Sequence, residues 1–257
     1  MNKRIIFWLV FIGLLFMGSA AYTIHYGDRI FYNLALNYDK GLNGYAQNYG
    51  RAMTAYKIST KLGHDVSPYN LGVMYAEGDG VSVNHRRAAE YYLIAADRAN
   101  GRAMYNLGMA YYVGEGVPKD YKQALHWIEK SLEFSNPVKS YSHYMIGLMH
   151  RRGRGVPQDM AKAHAHYLQA AELGYVDAQN NVGVMFRDGR GVGQDYEQAF
   201  YWLEKAAQQG FAKAQYSLGV LYLEGLGVHV DTNQAKFWLR AASKQGHFRA
   251  ALKLRSM

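Results

Sequence analysis

The chain of 257 residues has no cysteine, which excludes a disulfide framework, a thiol nucleophile and a thiolate metal site together. Proline is nearly as scarce, and the four present, Pro68, Pro118, Pro137 and Pro157, leave long stretches free of helix breakers. Charged residues make up only 19% of the chain and hydrophobic residues 49%, a balance that folds rather than staying disordered. Acidic residues are the poorer sign, 20 against 29 Lys and Arg, and without Lys3 and Arg4 there are still 27 basic residues. That excess favours anionic partners only weakly. No phosphate loop, nucleophile elbow or paired-histidine zincin motif occurs, so no catalytic residue, cofactor or metal is expected. The Gly-x-Gly turns lack the preceding strand that a dinucleotide site needs.

One long apolar run is present. Lys3 and Arg4 precede an uncharged stretch from Ile5 to Ile24, densest from Ile5 to Met17. Its length just crosses a hydrocarbon core, and positive charge stays cytoplasmic, so residues 1–26 are expected to anchor the chain with the body across the membrane. Gly18-Ser19-Ala20-Ala21 offers the alternative of a cleaved signal peptide. Trp8, Tyr22 and Tyr26 resemble interfacial anchors and favour retention. Either way the body is exported.

The rest repeats. Leu71-Gly72, Leu107-Gly108, Ile146-Gly147, Val182-Gly183 and Leu218-Gly219 recur at spacings of 36, 39, 36 and 36 residues. Gly78-Asp79-Gly80-Val81 and its counterparts at 114, 153, 189 and 225 keep the same step. The three extra residues fall within Glu133 to Ser140, around Asn136-Pro137, which is turn chemistry. Each period reads as helix A, a glycine turn that tolerates positive φ, then helix B. Asn84, Asp120, Asp159, Asp195 and Asp231 stand where helix B starts and are expected N-caps. Gln123, Gln198 and Gln234, three residues on, suggest a capping box. Gly174, Gly210 and Gly246 are expected left-handed C-caps of helix B.

These periods predict an all-α fold, an α/α superhelical solenoid of about 36-residue helix pairs preceded by one hydrophobic segment. Five full repeats span 67–247. Carrying the step backward places Asn48 under Asn84 and Ala52 under Ala88, so 31–66 reads as a degenerate capping repeat. Residues 248–257 read as a C-terminal capping helix.

The pattern Tyr-Asn-Leu-Gly, Tyr, Gly-x-Gly-Val, Asp, Ala, Trp and Lys-Ala-Ala, nearly complete in Gln215 to Ala242, resembles the Sel1-like repeat family. The resemblance covers about 190 residues from Tyr69 onward. It implies a tetratricopeptide-like superhelix, adaptor or scaffold roles including bacterial envelope ones, and no catalytic residues. With the apolar segment, it points to the inner membrane with the body in the periplasm.

Three departures from the repeat are candidate sites. Charge changes sign where helix A ends: Ala76, Glu77 and Asp79 in the first full repeat and Tyr112, Val113 and Glu115 in the second become Arg151, Arg152 and Arg154, then Arg187, Asp188 and Arg190. Stacked repeats would bring the five arginines to one edge, for an acidic partner or simply to complement helix dipoles. Asn70, Asn106 and Asn181, with Ser217 in step, form a ladder on the groove face of helix A that suits either the repeat itself or an extended peptide backbone. His150 stands in the place of Tyr75, Tyr111 and Tyr222, and His166 in that of Trp127 and Trp202. If they face each other, metal binding or pH sensing is conceivable, though no third ligand is evident, and packing alone explains both. Most of the 23 tyrosines occupy repeat core positions.

The expected function is a membrane-tethered, periplasm-facing scaffold that binds a protein partner, an acidic one, through Asn70, Asn106, Tyr112, Arg151, Arg152, Arg154, Asn181, Arg187 and Arg190. A glycan or peptidoglycan binder, or a metal-binding or enzymatic repeat protein, are the alternatives. Nucleic acid is not expected, because export separates the chain from most of it.

Overall fold

The computed structural model describes residues 20–134 and 137–257, with side chains from Tyr26. The apolar run expected to anchor the chain falls largely on residues 1–19, outside the described residues. Among the described residues there are thirteen α-helices and no strand, and no helix is long and apolar enough to cross a membrane.

The chain divides into two compact units, residues 1–120 and 121–257. The first holds α1 (Ala20–Lys40), α2 (Tyr49–Lys61), α3 (Ser67–Glu77), α4 (His85–Asp97) and α5 (Gly101–Val113). The second holds α6 (Tyr121–Ser131), α7 (Lys139–Arg152), α8 (Met160–Glu172), α9 (Val176–Asp188), α10 (Tyr196–Gln208), α11 (Ala212–Glu224), α12 (Thr232–Lys244) and α13 (Phe248–Arg255). Within each unit every helix packs on its neighbours in sequence, as in a helical solenoid.

Local chemistry sets the helix ends. The side chains of Asn48, Asn84, Asp159, Asp195 and Asp231 each accept a first-turn amide of the helix that follows. The capping box expected at Gln198 and Gln234 does not form. The amide of each cap residue instead donates across the turn to helix A, Asn84 to the Tyr75 carbonyl at 2.8 Å, Asp159 to His150, Asp195 to Phe186 and Asp231 to Tyr222 at 3.0 Å each. That amide is therefore already satisfied, so Gln198 and Gln234 have nothing to reach back for. The bond ties helix B to the end of its own helix A.

Two kinds of glycine fix the packing. Helix A ends on left-handed caps such as Gly189, φ 65°, and the second glycine of the turn, Gly191, has φ 76°. A Cβ on Gly191 would fall into the carbonyl of Met160, the first residue of the preceding helix B. The turn thus seats directly on neighbouring backbone. Within a pair, a Cβ on Gly183 would stand 2.6 Å from Leu203 Cγ and 3.1 Å from the Ala199 carbonyl oxygen. This close crossing explains both the Leu-Gly step and the recurrent alanine of helix B. Leu203, Leu218 and Leu221 are fully buried around it, with Phe200, Tyr222 and Trp238 packed alongside.

Candidate binding groove and histidine cluster

In the second unit α9, α11 and α13 line one groove of about 500 Å³. Arg187 enters it from the last turn of α9, Lys213 from the first turn of α11 and Arg249 from α13. On its apolar side Tyr216 stacks on His247, ring centroids 4.7 Å apart, and Phe248 stands 71% exposed. Asn180 lines the groove although it is only 8% exposed, and its Oδ1 has no hydrogen-bond partner. A buried acceptor left unsatisfied costs about 1–3 kcal/mol, an uncommon feature in a folded interior.

The arginines form two groups at equivalent places. Arg187 Nε lies 2.8 Å from Asp188 Oδ1, and Arg190 Nε 3.5 Å from Asp188 Oδ2, so one carboxylate serves two guanidiniums. Arg151, half-buried, and Arg152, exposed, end α7, while Arg154 lies over the Tyr121 ring at 5.2 Å. Gln158 and Gln194 donate to the backbone carbonyls of Arg151 and Arg187 at 2.9 and 2.8 Å, closing both turns in the same way. Tyr112 occupies the matching place at the end of α5 in the first unit.

The asparagine ladder is engaged within the repeats. Asn70 stands beside the Tyr56 hydroxyl and Asn106 beside that of Tyr92, each tyrosine lying on the preceding helix B. Asn181 stands beside the Tyr144 hydroxyl, and the Ser217 hydroxyl donates to the Lys213 carbonyl at 3.0 Å. Burial drives Tyr92 up to about 12 and raises Tyr56 further, so these phenols stay protonated. The asparagine that lines the groove is Asn180, which the sequence pattern did not single out.

His150 and His166 do face each other. Their rings stack at 5.9 Å and 12°. A third histidine joins them, His143 on α7, whose Nδ1 is 3.2 Å from His166 Nδ1. Burial first, then the neighbouring His143, His150 and Lys162 charges, hold His166 down to about 4. His143 is lowered by burial and by Lys139. His164 turns to the other side, edge-on to Phe186 at 4.9 Å. Among the described residues, no three His, Cys, Asp or Glu side chains gather closely enough to hold a metal ion.

The Sel1 repeat family matches residues 32–64, 69–100, 101–133, 140–175, 176–211 and 212–247. The chain belongs to the Sel1 repeat family. Its repeats are similar to those of a protective antigen present in uropathogenic Escherichia coli strains that displays this fold, with 32% identity and a TM-score of 0.83. That match covers 87% of this chain and 47% of the antigen, so the chain spans about half the antigen's length. A Sel1 repeat protein from Oxalobacter formigenes is 29% identical with a TM-score of 0.71, covering 84% of each chain. No curated protein sequence matches the chain. Sel1-repeat proteins are generally scaffolds for protein–protein interaction and typically non-enzymatic.

Proposed function

We propose that this chain is a membrane-tethered scaffold whose body faces the periplasm and which holds an acidic segment of a protein partner in the α9–α11–α13 groove. The observation that carries the reading is the convergence of Arg187, Lys213 and Arg249 on one groove that Tyr216, His247 and Phe248 also line. The carboxylates of an acidic segment pair with the three cations. Tyr216, His247 and Phe248 supply the apolar contact that polar recognition needs for affinity. Arg151, Arg152 and Arg154 offer a second cationic surface, and Lys3 and Arg4 before the apolar run support the orientation.

The test is co-purification from native membranes with the wild-type chain and with Arg187→Glu/Lys213→Glu/Arg249→Glu. The triple variant should keep its helical circular dichroism, since Lys213 and Arg249 are exposed and cost at most about 0.5 kcal/mol each while half-buried Arg187 gives up its pair with Asp188 for about 1 kcal/mol, and should lose the partner. Wild-type capture should weaken with added salt as screening shortens to about 8 Å. Undiminished capture by the folded triple variant would remove the groove from the interaction. A reporter active only outside the cytoplasm, fused after Met257, should be active, and an inactive fusion would overturn the orientation.

A further inference from the structure

Four of the ten histidines, His143, His150, His164 and His166, fall on the single helix pair α7–α8. Three of them make one cluster, in which His166 of α8 touches both His143 and His150 of α7. Two nitrogens bound at about 2.0–2.1 Å to one tetrahedral metal ion stand about 3.3 Å apart. The Nδ1 atoms of His143 and His166 are 3.2 Å apart. We propose that these two imidazoles are the protein ligands of a transition-metal site on the α7–α8 pair, taking Cu2+, Ni2+ or Zn2+ through Nδ1, with water in the remaining positions.

Imidazole nitrogen suits these ions, and Cu2+ binds such donors most strongly of the three. With no metal, one Nδ1 carries a proton and donates it to the other, a bond that fixes two different tautomers. Coordination needs both Nδ1 lone pairs. The donating ring therefore moves its proton to Nε2, and the pair neither gains nor loses a proton. Both rings are kept neutral by burial, which leaves little proton competition near pH 7. The charged groups bearing on the cluster are Lys139 beside His143, Lys162 beside His166 and Asp159 beside His150. The two lysines oppose a cation, and no third His, Cys, Asp or Glu among the described residues completes the site. The site is accordingly bidentate and open, with modest affinity and positions left for exchangeable ligands. The His150 ring lies parallel to that of His166.

The test uses the full chain without a histidine tag, stripped with chelator, titrated with Cu2+ and with Zn2+ at pH 7.5 by calorimetry and, for Cu2+, by electron paramagnetic resonance. One saturable equivalent with nitrogen hyperfine coupling is expected. Loss of mere supporting groups weakens metal sites about 10–100-fold, so His143→Gln and His166→Gln should each cost at least about tenfold. His126→Gln/His229→Gln, which removes two exposed surface histidines, should change nothing. If His166→Gln proves poorly folded, His166→Trp restores the ring that Trp202 supplies in the next repeat while removing the ligand. Nitrogen-15 spectra should show both Nδ1 resonances shifting with Zn2+. Absence of saturable binding, or binding that survives His143→Gln or His166→Trp undiminished, would overturn the site.

Discussion

Tyr75 and Tyr91 in the first unit and His150 and His166 in the second hold the same two places of the repeat, and their rings stack almost alike. The tyrosines stand at 5.6 Å and 9°, the histidines at 5.9 Å and 12°. Position is therefore set by the frame, the carbonyl of the first ring's residue receiving the cap amide of helix B in both units. Ring type then decides the chemistry. Burial raises Tyr91 and lowers His166, so these two rings are uncharged near neutrality. Of the two, only His166 can be charged in mild acid, and only an imidazole presents a lone pair to a metal.

If the frame is what the two units share, breaking it should have the largest effect and should not depend on the rings. Gly80 in the first unit and Gly191 in the second have φ 71° and 76° and lie against the helix B start of the preceding repeat. An alanine at either place adds left-handed strain and overpacking, about 1–2 and 1–3 kcal/mol. Gly80→Ala and Gly191→Ala should each lose about 2–4 kcal/mol in urea unfolding followed by circular dichroism. A loss below about 0.5 kcal/mol for either would mean the close approach does not hold that unit's register.

The rings come next. For His166 the folded value of about 4 lies below the ordinary 6.5. The unfolded chain therefore binds the proton first, and stability present above pH 6.5 is lost as pH falls from there toward 4. His166 remains partly exposed, so after discounting for solvent screening the loss should be about 1–2 kcal/mol, with His143 adding to it. His150→Tyr/His166→Tyr installs the first unit's pair and should flatten that dependence between pH 7.5 and 4.5. Identical profiles for both proteins would show that the pair contributes nothing to acid sensitivity.

The repeat was legible because its signals are local and periodic: turn glycines, cap residues and small residues at a constant step. What escaped is tertiary. Gln198 and Gln234 looked like capping-box partners, but the cap amide is taken by a carbonyl of helix A that a local pattern cannot show. His143 passed unnoticed because its equivalents are Pro68, Met104, Gln179 and Gln215, so no ring was seen to be replaced. The asparagine ladder was visible, while the reason for it lay in another helix. Asn70 and Asn106 follow helices bearing Tyr56 and Tyr92, whereas Met145 and Ser217 follow Ile128 and Leu203. That pairing, read along the chain, could have separated the internal asparagines from Asn180 in the groove.

The smallest effect concerns a place where the first unit departs from the second. Helix B of the second unit closes on Gly174, Gly210 and Gly246, with φ 87°, 86° and 83°. In the first unit Ala99 takes the same place at φ 62°. The hydrogen bonds around it are those of its glycine counterparts: its amide donates to Ala96 at 3.0 Å and Asn100 to Ala95 at 3.1 Å, just as Gly210 donates to Ala207 at 2.9 Å and Phe211 to Ala206 at 3.1 Å. The turn is thus intact, and Ala99 carries left-handed strain of about 1–2 kcal/mol that glycine avoids. Glycine also gives the unfolded chain more freedom, which takes back about 0.4–1 kcal/mol. Ala99→Gly should therefore stabilise the protein by about 0.5–1 kcal/mol, the reverse of the usual effect of adding a glycine. Gly210→Ala should destabilise it by a similar amount. Equal and opposite shifts in the urea midpoint at constant slope would show that both units close helix B by the same left-handed turn, and a destabilised Ala99→Gly would show that they do not.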